Sequence, residues 1–134
     1  MDKVAYFKMS GTVIRGCDKD EIPDDLVIPD GVTEIGEGAF EDCTSLTSVS
    51  IPSSVTYIGE TAFRGCTSLA SMTIPNSVTT IGDGAFYGCK SLASVTYTGT
   101  KAQWEAIERE HHWGYGLGTF TVHCTDGELS EKEQ

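Results

Sequence analysis

The sequence has no apolar run approaching the ~20 residues that a membrane-spanning helix needs. The first eight residues, Met1–Lys8, lack both the apolar core of a signal peptide and a small-residue cleavage site. We therefore expect no membrane insertion. The sequence as written predicts a cytoplasmic protein, and a secreted or cell-surface protein is expected instead if an export signal has been lost from it.

Basic side chains are also few, with 9 Lys and Arg against 20 Asp and Glu and a net charge of −11. This balance disfavours direct binding to nucleic acid, because phosphate contacts require clustered cations. It favours solubility and attraction to basic partners. An acidic surface that is simply solvated is the alternative that the composition leaves open.

Motifs of catalytic and metal sites are missing as well. The sequence has no Gly-x-Ser-x-Gly turn, and the glycines of 114–118 lack the preceding strand and following helix of a phosphate-binding loop. Neighbouring residues in His111–His112 and His123–Cys124 point in different directions, so neither pair forms a chelating face by itself. We predict no enzyme activity and no cofactor, with a zinc site assembled from both pairs as the alternative.

An internal repeat of 23 residues dominates what is present. More than ten positions recur three times without an insertion, which excludes chance. They include Ile28/Ile51/Ile74, Val32/Val55/Val78, Ile35/Ile58/Ile81, Phe40/Phe63/Phe86, Cys43/Cys66/Cys89 and Leu46/Leu69/Leu92.

One repeat can be interpreted residue by residue. Val49 and Ile51 alternate with polar residues, which predicts a short strand with one buried face, and Pro52 ends it. Apolar residues within 55–58 then point inward from a turn. The spacing of Ala, Phe and Cys within 62–66 predicts a helix of one or two turns.

Stacked repeats would bury continuous columns of these apolar side chains. The strand positions 26–28, 49–51, 72–74 and 95–97 predict four strands of one parallel sheet. Its outward side chains would be rich in hydroxyls and would lack the aromatic and Arg anchors of binding hot spots. The expected fold class is an α/β repeat: a short right-handed leucine-rich-repeat solenoid with an N-terminal hairpin cap and a C-terminal helix-strand cap.

The two ends depart from the repeat, as the ends of a solenoid must to shield its core. We predict a cap over 1–23, with a hairpin in 4–15, and repeats over 24–97. A second cap over 98–124 follows, and 125–134 is predicted to be a loose polar tail.

The second cap is predicted in more detail. Thr100 is the expected N-cap of a helix over Lys101–His112, with Trp104 and Ile107 on one face. Phe120–Cys124 alternates and predicts a closing strand.

The cysteines are predicted to be structural. Cys43, Cys66 and Cys89 occupy one column of the repeat and are expected to pack in the core as small apolar groups. Cys17 and Cys124 lie in opposite caps on the order of 20 Å apart, too far for a bridge between them.

The repeat unit I-P-x-x-V-T-x-I-G-x-x-A-F-x-x-C-x-S-L resembles the BspA-like, or Treponema pallidum type, leucine-rich repeats over about residues 24–108. The segment Tyr97–Ile107 is similar to the ending that often follows the last such repeat. The resemblance implies a leucine-rich-repeat fold and binding to proteins or host surfaces, and it supplies no shared catalytic residue. This chain departs from the family in having few repeats and no export signal or wall anchor in its sequence.

Two groups of residues are candidates for contact with a protein partner. One is an acidic edge, densest near the first repeat, for which a merely solvated surface is the alternative: Asp24, Asp25, Asp30, Glu34, Glu37, Glu41, Glu60 and Asp83. The other is aromatic, Trp113 and Tyr115 in the C-terminal cap, where sealing the core is the alternative.

The leading hypothesis for function is a non-enzymatic protein-interaction module. One alternative is a small acidic inhibitor, of the type found in phages or mobile elements, that blocks a basic nucleic-acid-binding site on its target. Salt-sensitive binding would distinguish the inhibitor from the module. The other alternative is a fragment of a bacterial surface adhesin.

Overall fold

The structure, a computed structural model, describes residues 6–110, 112–114 and 116–131. Within these residues, twelve strands and one helix follow one another along the chain. Their bounds are β1 Phe7–Ser10, β2 Val13–Cys17, β3 Asp25–Val27, β4 Glu34–Ile35, β5 Ser48–Ser50, β6 Tyr57–Ile58, β7 Ser71–Ile74, β8 Thr80–Ile81, β9 Ser94–Tyr97, α1 Lys101–Ala106, β10 Glu108–Arg109, β11 Phe120–Cys124 and β12 Gly127–Glu131.

The strands form two six-stranded sheets. The first sheet has the order β1-β2-β4-β6-β8-β10, and the second sheet has the order β12-β11-β9-β7-β5-β3. Neighbouring strands are parallel except in the terminal hairpins β1–β2 and β11–β12. In the second sheet, Val49 pairs with Leu26 on one side and Met72 on the other, which is the register of the repeat. The predicted parallel sheet is therefore confirmed, whereas the first sheet replaces what was predicted as a turn.

The core between the sheets is built from columns of equivalent residues. Phe63 lies between Phe40 and Phe86, with ring centroids 5.3 and 5.5 Å apart and interplanar angles of 12° and 2°. Phe7 and Trp113 close the two ends of this stack edge-on, at 6.0 and 6.5 Å. Aromatic neighbours in such arrangements stabilise a core beyond the area they bury.

The short helix predicted in each repeat is wrong, and backbone hydrogen bonding explains why. Alternate N–H groups of this segment donate to the next turn of the solenoid rather than along a helix: Gly38 to Glu60 O at 2.9 Å, Phe40 to Ala62 O at 2.8 Å and Asp42 to Arg64 O at 2.7 Å. The intervening N–H groups of Ala39, Glu41 and Cys43 donate three residues back within their own turn. The segment is a series of turns paired between repeats, so the fold contains far less helix than an α/β repeat.

Left-handed backbone in two columns makes these turns incompatible with an α-helix. One residue of each column stands in every repeat: Gly38, Thr61 and Gly84 in one, and Asp42, Gly65 and Gly88 in the other. Glycine adopts this conformation without steric cost, whereas Thr61 does so with a β-branched side chain at a φ of 52°.

The N-terminal cap is a hairpin, as predicted, over its described residues. β1 pairs with β2 in an antiparallel register from Phe7↔Cys17 to Ser10↔Val13. β2 then pairs in parallel with β4, so the hairpin continues the first sheet. The predicted hairpin also included residues 4 and 5, which lie outside the described residues.

The C-terminal cap contains a shorter helix than predicted. Thr100 is its N-cap, because its side chain accepts a hydrogen bond from Gln103 N–H at 3.2 Å. α1 ends after six residues, since Ile107 is extended and β10 joins the first sheet beside β8. Trp104 lies on α1 and Ile107 lies just beyond it, and both are buried. The predicted helix also included His111, which lies outside the described residues.

Residues 127–131 are not a loose tail. They form β12, which pairs antiparallel with β11 and covers the edge of the second sheet. Glu131 accepts a hydrogen bond from the indole Nε1 of the buried Trp104 at 3.0 Å. The polar composition of this segment is compatible with an edge strand as well as with a tail, so composition alone did not distinguish the two.

Cys43, Cys66 and Cys89 are buried, which confirms their assignment to the core. All five cysteines are free thiols. Cys17 is also buried, at the end of β2 next to Cys43.

We expect the Thr61→Gly variant to be more stable than the wild type by ~0.5–1 kcal/mol. Relief of a left-handed β-branched residue is worth ~1–2 kcal/mol and exceeds the entropic cost of a new glycine. Urea unfolding followed by circular dichroism measures the difference. Thr56→Gly is the control, because Thr56 is exposed and has a negative φ, and it should lose about 0.5–1 kcal/mol. Equal losses in both variants would show that Thr61 is not strained.

Candidate functional site

A row of carboxylates crosses the turns that follow the short strands of the first sheet. Glu37, Glu60 and Asp83 occupy the same position of successive repeats, and the row ends at Glu110 of the C-terminal cap, whose Oε1 accepts a hydrogen bond from Asp83 N–H at 3.3 Å. We call these four residues the carboxylate column. The adjacent glycines allow the turns to stack tightly here, since a Cβ added to Gly59 would lie 2.8 Å from the carbonyl oxygen of Ile35.

Repulsion within the carboxylate column is visible in the pKa of Glu60. The pKa of Glu60 is raised above its ordinary value, mainly by the Glu37 carboxylate and further by Asp83 and Glu110. Tyr57, on β6 of the same sheet, has a pKa raised by burial and by nearby carboxylates that include Glu110 and Glu34. Negative potential therefore extends over this side of the first sheet.

The other predicted acidic residues do not join this column. Asp24 precedes β3, and Asp25 lies on it, in the second sheet. Asp25 Oδ1 accepts hydrogen bonds from Ser48 Oγ at 2.8 Å and Thr47 Oγ1 at 3.1 Å. Glu41 forms an ion pair with Arg64 at 3.0 Å.

The remaining two acidic candidates are placed as follows. Asp30 is exposed in the turn after β3. Glu34 lies on β4, beside Tyr57 of β6. The acidic edge predicted as one surface is therefore distributed over different sides of the solenoid, and of the eight candidates only Glu34, Glu37, Glu60 and Asp83 share one side.

The aromatic candidates are placed differently from the acidic ones. Trp113 is 5% exposed and packs edge-on against Phe86, Trp104 and Phe120, so it is part of the core instead of a partner-binding surface. Its burial follows from its position, because it closes the phenylalanine stack. Tyr115 lies outside the described residues.

Arg109, which no sequence pattern singled out, lies against Trp104 and Trp113. The guanidinium carbon of Arg109 is 5.1 Å from the ring of Trp104 and 5.3 Å from that of Trp113. Nη1 of Arg109 is buried and has no hydrogen-bond partner in the described part of the chain. The alternation of polar and apolar residues gave no signal for this stacking.

The exposed side of the second sheet forms a shallow groove of about 270 Å³. Its lining is rich in hydroxyls, as predicted, and includes Ser48, Ser50, Ser71, Thr73 and Thr96. Val27, at one end of this groove, is 67% exposed. The groove has no aromatic lining residue among those described, so it lacks the side chains typical of binding hot spots.

The described ranges show neither a metal-holding cluster nor a membrane-spanning helix. These ranges contain no group of three or more His, Cys, Asp and Glu residues arranged to hold a metal ion. His123 Nδ1 lies 2.9 Å from Glu128 Oε2 on the neighbouring strand, an exposed pair. Within the same ranges, no helix is long and apolar enough to cross a bilayer.

We expect Glu60→Gln to raise the melting temperature at pH 7 and low salt by removing repulsion from the middle of the carboxylate column. The folded state holds the Glu60 proton more tightly than the unfolded chain does. The stability from that proton is therefore full below the ordinary value of 4.5 and is lost as the pH rises through the higher folded pKa. The gain should accordingly vanish below about pH 4 and shrink in ~1 M NaCl.

Calorimetric melting across pH measures this gain. Glu105→Gln is the matched control, since it removes one charge from the exposed side of α1 away from the column. An equal gain from Glu105→Gln would mean that total charge, and not the column, sets the effect.

Comparisons with known proteins place the chain in a family. The model of the BspA type leucine-rich repeat region matches residues 20–125. No curated protein matches the sequence.

Solved bacterial structures are similar in fold. The pneumococcal vaccine antigen PcpA is 20% identical over 88% of this chain, with a TM-score of 0.74. A leucine-rich-repeat protein from Bacteroides capillosus is 24% identical over 89% of this chain and 98% of that one, with a TM-score of 0.67. One from Bacteroides ovatus is 26% identical over 87% of this chain, with a TM-score of 0.53.

The chain spans 28% of the PcpA chain and 34% of the Bacteroides ovatus chain. The family match extends over far more than half of the 134 residues and coincides with the repeats seen in the two sheets. The chain therefore belongs to the family of BspA-type leucine-rich-repeat proteins.

Proposed function

We propose that this protein is a non-enzymatic protein-interaction module whose partner binds the carboxylate-rich side of the first sheet. The carboxylate column is the observation that carries the proposal. Its residues stand at the same position of successive turns paired by backbone hydrogen bonds, and repulsion from Glu37 raises the pKa of Glu60. A basic partner surface would remove that repulsion and gain favourable electrostatics in the same step.

Three features support this side over the others. The hydroxyl-lined groove of the second sheet has no aromatic or Arg anchor among the residues that the structure describes. Trp113 is buried in the core. Of the remaining acidic candidates, Asp25 and Glu41 already have partners within the chain. Glu34, Glu37, Glu60 and Asp83 are left as carboxylates on one side of the fold.

Affinity capture with a charge-neutralised variant tests the proposal. The column variant Glu37→Gln/Glu60→Gln/Asp83→Asn and the control Asp20→Asn/Glu21→Gln/Glu105→Gln carry the same change in charge. We expect wild-type and control chains to recover the same protein from an extract of the producing cells, and the column variant to recover it at least tenfold less. Equal recovery by both variants would refute binding at the column.

A second function is favoured by the regular row of negative groups along the column. Such a row could occupy a basic groove that normally holds a nucleic-acid backbone, so that the protein acts as an inhibitor. Captured proteins would then bind nucleic acid, and their release would rise steeply between ~100 and ~500 mM salt. Captured proteins that do not bind nucleic acid would exclude this version while leaving the interaction module intact.

We infer a place at the cell surface for this module. BspA-type repeats, which match residues 20–125 of this chain, occur widely in secreted and surface proteins. Protease treatment of intact producing cells should then remove the module from the immunoblot while leaving a cytoplasmic marker uncut. Full protection of the module would place it inside the cell.

A further inference from the structure

Cys43, Cys66 and Cys89 form a column along the repeats, and at its N-terminal end this column meets Cys17, a cysteine of the cap. Cys66 Sγ donates a hydrogen bond to Phe40 O at 3.1 Å, and Cys89 Sγ donates to Phe63 O at 2.9 Å. Each of these thiols is thus engaged by a carbonyl of the preceding turn, 26 residues earlier.

The same offset of 26 residues leads from Cys43 to Cys17 in the N-terminal cap. Here the partner is a second thiol, and the two Sγ atoms lie 3.7 Å apart. Both cysteines are free and buried, with Cys17 8% exposed and Cys43 2% exposed. Sulfur atoms in contact need to approach by only about 1.7 Å to reach the length of a disulfide bond.

We propose that Cys17 and Cys43 form an oxidisable dithiol that closes to a disulfide and staples the N-terminal hairpin to the first repeat. Cys17 is the last residue of β2, and Cys43 belongs to the repeated turn next to Phe40. The bond would therefore join the cap to the repeats at the end of the stack. The thiols of Cys66 and Cys89 also interact with each other, but both residues are 0% exposed and donate to carbonyls. Cys17 and Cys43 are therefore the pair that combines thiol contact with some exposure.

The environment assigns different roles to the two sulfurs. A hydrogen bond from the Cys43 thiol, together with the charges of Lys19 and Lys8, lowers the pKa of Cys17. The pKa of Cys43 is raised by donating that hydrogen bond and by burial. Cys17 is also the more exposed of the two, so it is the thiolate that an external reagent meets first.

The reaction requires a low-molecular-weight disulfide such as oxidised glutathione as the oxidant. The Cys17 thiolate attacks one sulfur of this reagent, forms a mixed disulfide and releases one glutathione thiolate. Cys43 then loses its proton to solvent and attacks the Cys17 sulfur, which releases the second glutathione. Two protein thiols are oxidised by two electrons, and one glutathione disulfide is reduced to two thiols.

Equilibration of the full chain with oxidised glutathione tests the proposal. We expect the thiol count in denaturant to fall from five to three, with Cys17 and Cys43 in one disulfide-linked peptide by mass spectrometry. The melting temperature should rise by on the order of 5–10 °C, because the bond closes the loop between Cys17 and Cys43 in the unfolded chain. Reduction should bring it back to its original value.

Matched variants separate this dithiol from the other cysteines. Cys124→Ser should still lose two thiols on oxidation, whereas Cys17→Ser should lose none and show no thermal shift. The wild-type peptide map decides the matter even if Cys17→Ser folds poorly. A glutathione adduct that persists on Cys17, five unchanged thiols, or a disulfide that depends on Cys124 would each overturn the proposal.

Discussion

The whole structure depends on one constraint: each turn of backbone hydrogen-bonds to a near-copy of itself 23 residues away. Gly59 N–H donates to Ile35 O, and Gly82 N–H donates to Ile58 O, both at 2.8 Å. Fixing the backbone in this way places every side chain beside its own equivalent. The phenylalanines therefore stack nearly face to face, and the cysteines form a column of their own. The same register that builds the core also brings the like charges of Glu37 and Glu60 together, so packing and repulsion have one cause.

The 23-residue period of the sequence determines how much of the fold could be predicted. Columns of Ile, Phe and Leu are visible in the sequence because a repeat multiplies a weak pattern, and the strands of the second sheet follow from Val49 and its equivalents. The first sheet was missed because strands of two residues, such as Tyr57–Ile58, are too short to show an alternation. The helix was predicted wrongly because the spacing of Ala62, Phe63 and Cys66 suits a helix equally well. What excludes the helix is the left-handed backbone at Thr61 and Gly65, together with hydrogen bonds between turns.

The candidate site was predicted only in part, for a geometric reason. In a solenoid, residues close in sequence point outward around the perimeter of one turn, whereas residues one repeat apart lie side by side. Asp25, Asp30 and Glu37 are near in sequence but occupy different sides, so local acidic density overstated the patch. Glu37, Glu60 and Asp83 are distant in sequence yet adjacent in space, and the repeat alone predicts that they share a column. Arg109 and Cys17 gave no such signal because both lie outside the periodic segment.

The contacts that have no counterpart in the repeats lie at the two ends of the stack. Inside the stack, a cysteine thiol donates a hydrogen bond to a carbonyl of the preceding turn, and a phenylalanine ring stacks on the phenylalanine of the next turn. At the N-terminal end the same column meets a hairpin of different sequence, and Cys43 faces a thiol. At the C-terminal end the phenylalanine stack meets Trp113, with a guanidinium over the ring. Because only the ends depart from the repeat, they can hold residues that have no equivalent in the other turns, and the contact between the Cys17 and Cys43 thiols arises at such an end.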